Sequence, residues 1–128
     1  MADCGCENGK RTVLLYACSG GANVAEISDR AARELMFAGQ GTMFCLAGLG
    51  ADIPGMVQTA RDSDLNLVID GCPMDCAKKI FDRHGLTNYR QVKVTDLGIE
   101  KKRAPVMEEQ VAAAAEAARA AVAKAMAT

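Results

Sequence analysis

The chain has 128 residues, half of them apolar, with a formal net charge of −1 and a pI near 5.8. That is the length of one domain with enough apolar material for a core, so disorder is excluded and disulfide staples are not needed. No basic stripe interleaved with aromatics invites nucleic acid, and no apolar run approaches the roughly 18–20 residues of a membrane span.

Residues 1–11 are polar and lack the apolar segment of a secretory signal, so a reducing cytoplasm is the expected compartment. Six cysteines in such a compartment point to metal or redox chemistry rather than to structural bridges. The same arm carries Cys4 and Cys6 as a Cys-x-Cys pair. It reads either as a frayed terminus with two reduced thiols or as an arm that folds back and adds thiolates to a site.

Residues 12–17 form a short apolar run, the first expected strand. The tight turn Cys18-Ser19-Gly20-Gly21 follows, and Asn23 stands as a helix N-cap with Glu26 in capping-box position. Val24, Ile27, Ala31, Leu35 and Ala38 recur every three or four residues as one apolar helix face, which Gly39 and Gly41 end. Residues 42–47 suit a second strand, with residues 48–52 as its loop. Pro54 opens the next helix, which turns Met56, Val57 and Ala60 inward and closes near residues 61–64.

The apolar run 66–69 is a third strand. It turns at Asp70-Gly71, and Pro73 suits the first turn of a helix with Cys72 as its N-cap and Cys76 one turn on. The positive helix N-terminus favours a thiolate there. That helix closes at His84-Gly85. Residues 89–95 alternate as an edge strand with one wetter face. A basic connector follows over residues 99–104. From Pro105 to Met126 the chain is Ala-rich and strongly helix-forming, with Val111, Ala115, Ala118, Val122 and Met126 as its apolar stripe.

Strand and helix alternate throughout, which predicts an α/β fold: a single small three-layer domain over residues 12–128, with a four-stranded, mainly parallel sheet and helices on both faces. The expected strand order is 2-1-3-4; the order 3-2-1-4 would also keep the first three strands contiguous.

Cys18, Cys45 and Cys72 then share one position, at or just past the carboxyl end of a parallel strand, the edge where α/β proteins bind ligands. Neighbouring strands lie about 4.8 Å apart, and tetrahedral zinc with sulfur bonds of about 2.3 Å needs sulfurs roughly 3.8 Å from one another. The loops must therefore curl over the edge, and Cys76 completes four. The plainer reading is that Cys18 and Cys45 are small buried hydrophobes.

Other local patterns carry less. The Cys18–Gly21 turn resembles a phosphate-cradling loop, but the Arg that would close it is replaced by Val24. Gly48-Leu49-Gly50 lacks the third glycine of a dinucleotide fingerprint. His84, the only histidine, lies more than two helical turns beyond Cys76 and suits the helix C-terminus. Lys78 and Lys79 could favour thiolates or form a solvated face. Asp70 could accept backbone N–H bonds at the turn or support a metal ligand.

Three segments, Asp70-Gly71-Cys72 with Cys76-Ala77-Lys78-Lys79, Ala17-Cys18-Ser19-Gly20, and Cys45-Leu46-Ala47-Gly48, resemble the DGC family, and residues 96–101 resemble its later motif. The resemblance implies zinc held by Cys18, Cys45, Cys72 and Cys76, with no defined reaction. Cys4 and Cys6 lie outside those motifs and leave room for a second ion. Four thiolates on one zinc leave no open position for water, which suits structure, storage or transfer rather than hydrolysis. Two rival chemistries use the same residues. One is a thiol–disulfide oxidoreductase with Cys72 as nucleophile and Cys76 or Cys18 resolving; the other is an iron–sulfur cluster on four thiolates. The metal ion is the expected partner.

Overall fold

The apolar runs become strands and the 3.6-residue stripes become helices, in strict alternation. A computed structural model describes residues 11–127; Cys4 and Cys6 lie outside the described residues. The elements are β1 (Val13–Ala17), α1 (Asn23–Phe37), β2 (Thr42–Met43), α2 (Leu46–Gly50), α3 (Pro54–Asp62), β3 (Leu65–Asp70), α4 (Cys76–Arg83), β4 (Tyr89–Lys93), a 3₁₀ turn (Val94–Leu97) and α5 (Glu108–Met126).

The sheet has the order β2-β1-β3-β4, and every pairing is parallel, as the alternation predicts. Val13 pairs with Leu65 and Ala17 with Ile69, while Ile69 also pairs with Val92. All six residues of β3 are buried, the mark of a central strand covered on both faces.

One face is covered by α1 and α5, where Leu15, Ile27, Leu35, Leu67, Ile69 and Val111 build the larger core. Alanines at 114, 115 and 118 let α5 lie close. The other face is aromatic. Tyr16 meets Phe81 edge-on at 4.9 Å and Phe44 at 6.0 Å, and Phe81 meets Tyr89 at 5.4 Å, near-perpendicular or tilted contacts that suit the ring quadrupole. The buried Tyr16 hydroxyl donates to Asn66 Oδ1 at 2.8 Å, which satisfies both polar groups. At the start of the described chain, Arg11 Nη1 donates to the Met126 carbonyl at 3.2 Å.

Four local expectations are corrected. Asn23 does not cap α1. Ala22 holds that position without a side-chain bond, because the Asn23 side chain is engaged elsewhere in the fold. The second strand stops at Met43 rather than running to residue 47: Phe44 N still donates to Leu15 O, but the Phe44 ring then joins the aromatic core and draws the chain off the sheet. Cys45 therefore caps a short helix where a loop was expected. The fourth helix begins at Cys76 rather than Pro73, because Asp75 takes the left-handed conformation, φ 56°, and breaks the turn before it. The edge strand ends at Lys93 and tightens into the 3₁₀ turn. No helix among the described residues is long and apolar enough to cross a membrane.

Candidate metal centre

Each residue of the Asp70-Gly71-Cys72 turn has a separate physical duty. Asp70 ends β3 and is buried. Its carboxylate accepts from Ala77 N at 2.9 Å and Lys78 N at 3.1 Å, amides of the first turn of α4 that have no intrahelical partner. It also accepts from Gln91 Nε2 at 2.8 Å. A side chain at the end of one strand thus does the capping work that Cys72 was expected to do from within the turn. Lys93 and Gln91 hold the left-handed Asp75, at 2.9 Å each, and with these donors beside it the Asp75 carboxyl sits below the usual carboxylate range.

Gly71 passes so close to the start of α1 that a Cβ there would lie 2.9 Å from the Val24 carbonyl oxygen. Only glycine admits that approach, and it brings Cys72 against the loop that carries Cys18. Cys18 N donates to Ile69 O at 3.0 Å, extending the β1–β3 ladder one residue past the strand. The Ser28 hydroxyl donates to the Cys18 carbonyl. Cys18 is therefore fixed at both backbone groups.

Cys76, Asp70 and Cys72 are near enough to act on the Cys18 thiol electrostatically. Burial, first, and then the neighbouring Cys76, Asp70 and Cys72 push the Cys18 thiol up to about 11. Burial and the Asp70 carboxylate thus favour the uncharged thiol at Cys18. Cys18, Cys72 and Cys76 line one cavity of about 510 Å³. Cys72 Sγ is turned toward Lys101 Nζ, 3.6 Å away. Among the described residues, no three His, Cys, Asp or Glu side chains are gathered closely enough to hold an ion as they stand. The donor chemistry nonetheless fits a thiophilic metal, since soft thiolates select zinc or iron–sulfur iron over hard cations.

Cys45 follows β2, next to β1, yet does not line that cavity. Its sulfur accepts from Gly48 N at 3.3 Å as the N-cap of α2, and the residue is exposed. It is not the buried hydrophobe of the plainer reading. His84 caps α4, its Nε2 donating to Leu49 O at 2.7 Å and lying 3.2 Å from Asp52. Lys78 pairs with Asp82 at 2.9 Å.

Two contributors were not legible as site residues. Gln91 looks like an ordinary strand residue, but it ties Asp70 to Asp75 across the sheet. Asn23, 4% exposed, clasps the basic connector: its Nδ2 donates to Glu100 O at 2.9 Å, its Oδ1 accepts from Lys102 N at 2.7 Å, and its own N donates to Lys102 O at 2.9 Å. A capping residue and a clasp have the same composition, and only the partner some 77 positions away distinguishes them.

Comparison with known proteins adds three findings. A family model described as "DGC domain" matches residues 14–118. A protein of Pseudomonas aeruginosa named "Anaerobic and virulence modulator AnvM" is 37% identical over 89 residues, which cover 70% of this chain and 68% of that protein. No solved structure matches the chain.

Proposed function

The chain belongs to the DGC domain family, and on that premise we propose that it is a zinc-binding protein whose thiolates sit at the carboxyl edge of the sheet. The ligands of this reading are Cys18, Cys72 and Cys76. Cys45, which the resemblance would include, is left out of this reading because it does not line the cavity that the other three share.

The observation that carries the reading is that Cys18, Cys72 and Cys76, from two separate segments of the chain, line one cavity at the carboxyl edge of the sheet. Burial and the neighbouring Asp70 carboxylate favour the protonated form of the Cys18 thiol when no cation is bound. A bound divalent cation reverses that balance, because a coordinating thiol is deprotonated outright. Asp70 and Gln91 would hold the ligand-bearing turn in place, as groups behind metal ligands commonly do.

The chemistry supplied is binding. A modulator, as the Pseudomonas relative is named, needs no turnover either. Four free thiols among the described residues suit a reducing compartment such as the cytoplasm.

Metal analysis of anaerobically purified protein tests the reading. About one zinc per chain is expected, lost in Cys18→Ser and in Cys72→Ser and retained in Cys45→Ser. Absence of metal from every fraction would remove the proposal. A visible absorption band would replace zinc with an iron–sulfur cluster. One rival is a Cys18–Cys76 disulfide, formed with loss of two electrons and two protons to an external oxidant. A thiol count that falls by two on mild oxidation and recovers on reduction would favour that chemistry.

A further inference from the structure

The cavity at the thiols is far larger than a metal ion needs. Its volume of about 510 Å³ falls in the range of roughly 300–1,000 Å³ that holds small organic ligands. Its lining divides by chemistry. Ala22, Val24, Ala25 and Met74 supply apolar lining, and Lys101, Lys102 and Arg103 supply basic lining. No Asp or Glu is among the described residues that line it.

Three consecutive cations in one lining, with no carboxylate among them, are unusual on a chain whose net charge is −1. None of the three makes an ion pair among the described residues; Lys101 Nζ lies 3.6 Å from Cys72 Sγ. The basic lining is also built. The clasp by the buried Asn23 fixes the backbone of residues 100–102 against α1 through three hydrogen bonds, so the cations are held at the cavity. Three thiolates around one divalent ion would carry a net charge of −1, and the three cations would still leave the cavity positive.

We infer that this cavity binds a small organic anion, with its charged end at Lys101, Lys102 and Arg103 and its apolar body against Val24, Ala25 and Met74. The volume and the apolar wall argue for an organic body rather than an inorganic oxyanion alone. The inference goes beyond metal binding and does not depend on it.

The test is fluorescence titration of the full chain with anilinonaphthalene sulfonate, an anion with an aromatic body. Saturable binding at about one site per chain is expected, with displacement by octanoate and little displacement by inorganic phosphate. Lys102→Glu combined with Arg103→Glu changes two exposed side chains and leaves the Asn23 clasp, which uses backbone atoms of that segment, in place; it should weaken binding at least tenfold. Met74→Ser should weaken it several-fold, and binding should persist in the presence of a chelator. Equal affinity in the charge-reversed protein would overturn the inference. So would unsaturable binding, displacement by phosphate as good as by octanoate, or loss of binding with the metal. Metal analysis on the same sample separates failure of this site from failure of the zinc reading.

Discussion

Cys18 and Cys45 follow neighbouring parallel strands and begin from equivalent positions, yet they end in different chemistry. After β1 the chain stays in register with β3 for one more residue, and Cys18 is held where Cys72 and Cys76 arrive. After β2 the chain has only a two-residue strand behind it, and the Phe44 ring carries it toward the aromatic core. Cys45 then serves a helix terminus. A cysteine's place on the sheet edge decides that it can reach a site; the pull on the following residues decides whether it does.

The sharpest way to break this contrast lies in the two glycines that accompany the two cysteines. At Gly71 a methyl group would meet the Val24 backbone, which cannot move without shifting α1. Gly71→Ala should lower the unfolding free energy by about 3 kcal/mol in urea titration. At Gly48 the added methyl meets only the Met56 side chain, which is flexible, and alanine favours a helix by up to about 1 kcal/mol. Gly48→Ala should therefore stay within about 1 kcal/mol of the parent. Equal losses at the two positions would remove the distinction between a rigid corner and a yielding one.

Asp70→Ala comes next. It leaves two α4 amides and Gln91 without their acceptor, and about 2 kcal/mol should be lost by the same measurement. Cys45→Ala removes a weak sulfur cap and should cost about 0.5 kcal/mol.

The pH response should also divide the two corners. The folded Cys18 thiol lies above its ordinary value, at about 11, so on raising the pH the unfolded chain releases that proton first. Metal-free protein should lose stability as the pH climbs from about 9 towards 11, and Cys18→Ser should flatten that limb while Cys45→Ser leaves it unchanged. The smallest effect is kinetic: at pH 8, iodoacetamide should alkylate the exposed Cys45 faster than the half-buried Cys18, read by mass spectrometry of peptides. Reversed rates would mean that Cys18 is more open and more acidic than its surroundings imply.

Much of the architecture was legible because it rests on local periodicity. The apolar runs at 12–17 and 66–69 suited buried strands, the stripe from Val24 to Ala38 suited a helix with one buried face, and alternation of the two favours a parallel sheet. Helix starts were harder. Asn23 and Cys72 both look like caps, but capping depends on which side chain reaches the free amides first, and Asp70 reached those of α4 from a neighbouring element.

By itself, then, the order of residues determined the alternation, the parallel sheet, and the arrival of Cys18 and Cys72 at one edge, since each follows from spacing along the chain and from the common direction of parallel strands. Only the tertiary structure decided between the two strand orders, put Cys76 but not Cys45 in the cavity lining with Cys18, and clasped a basic connector from a distant segment at that cavity. Those outcomes depend on side-chain direction and on contacts between segments up to 79 positions apart, where packing of the whole, rather than any local pattern, selects the partner.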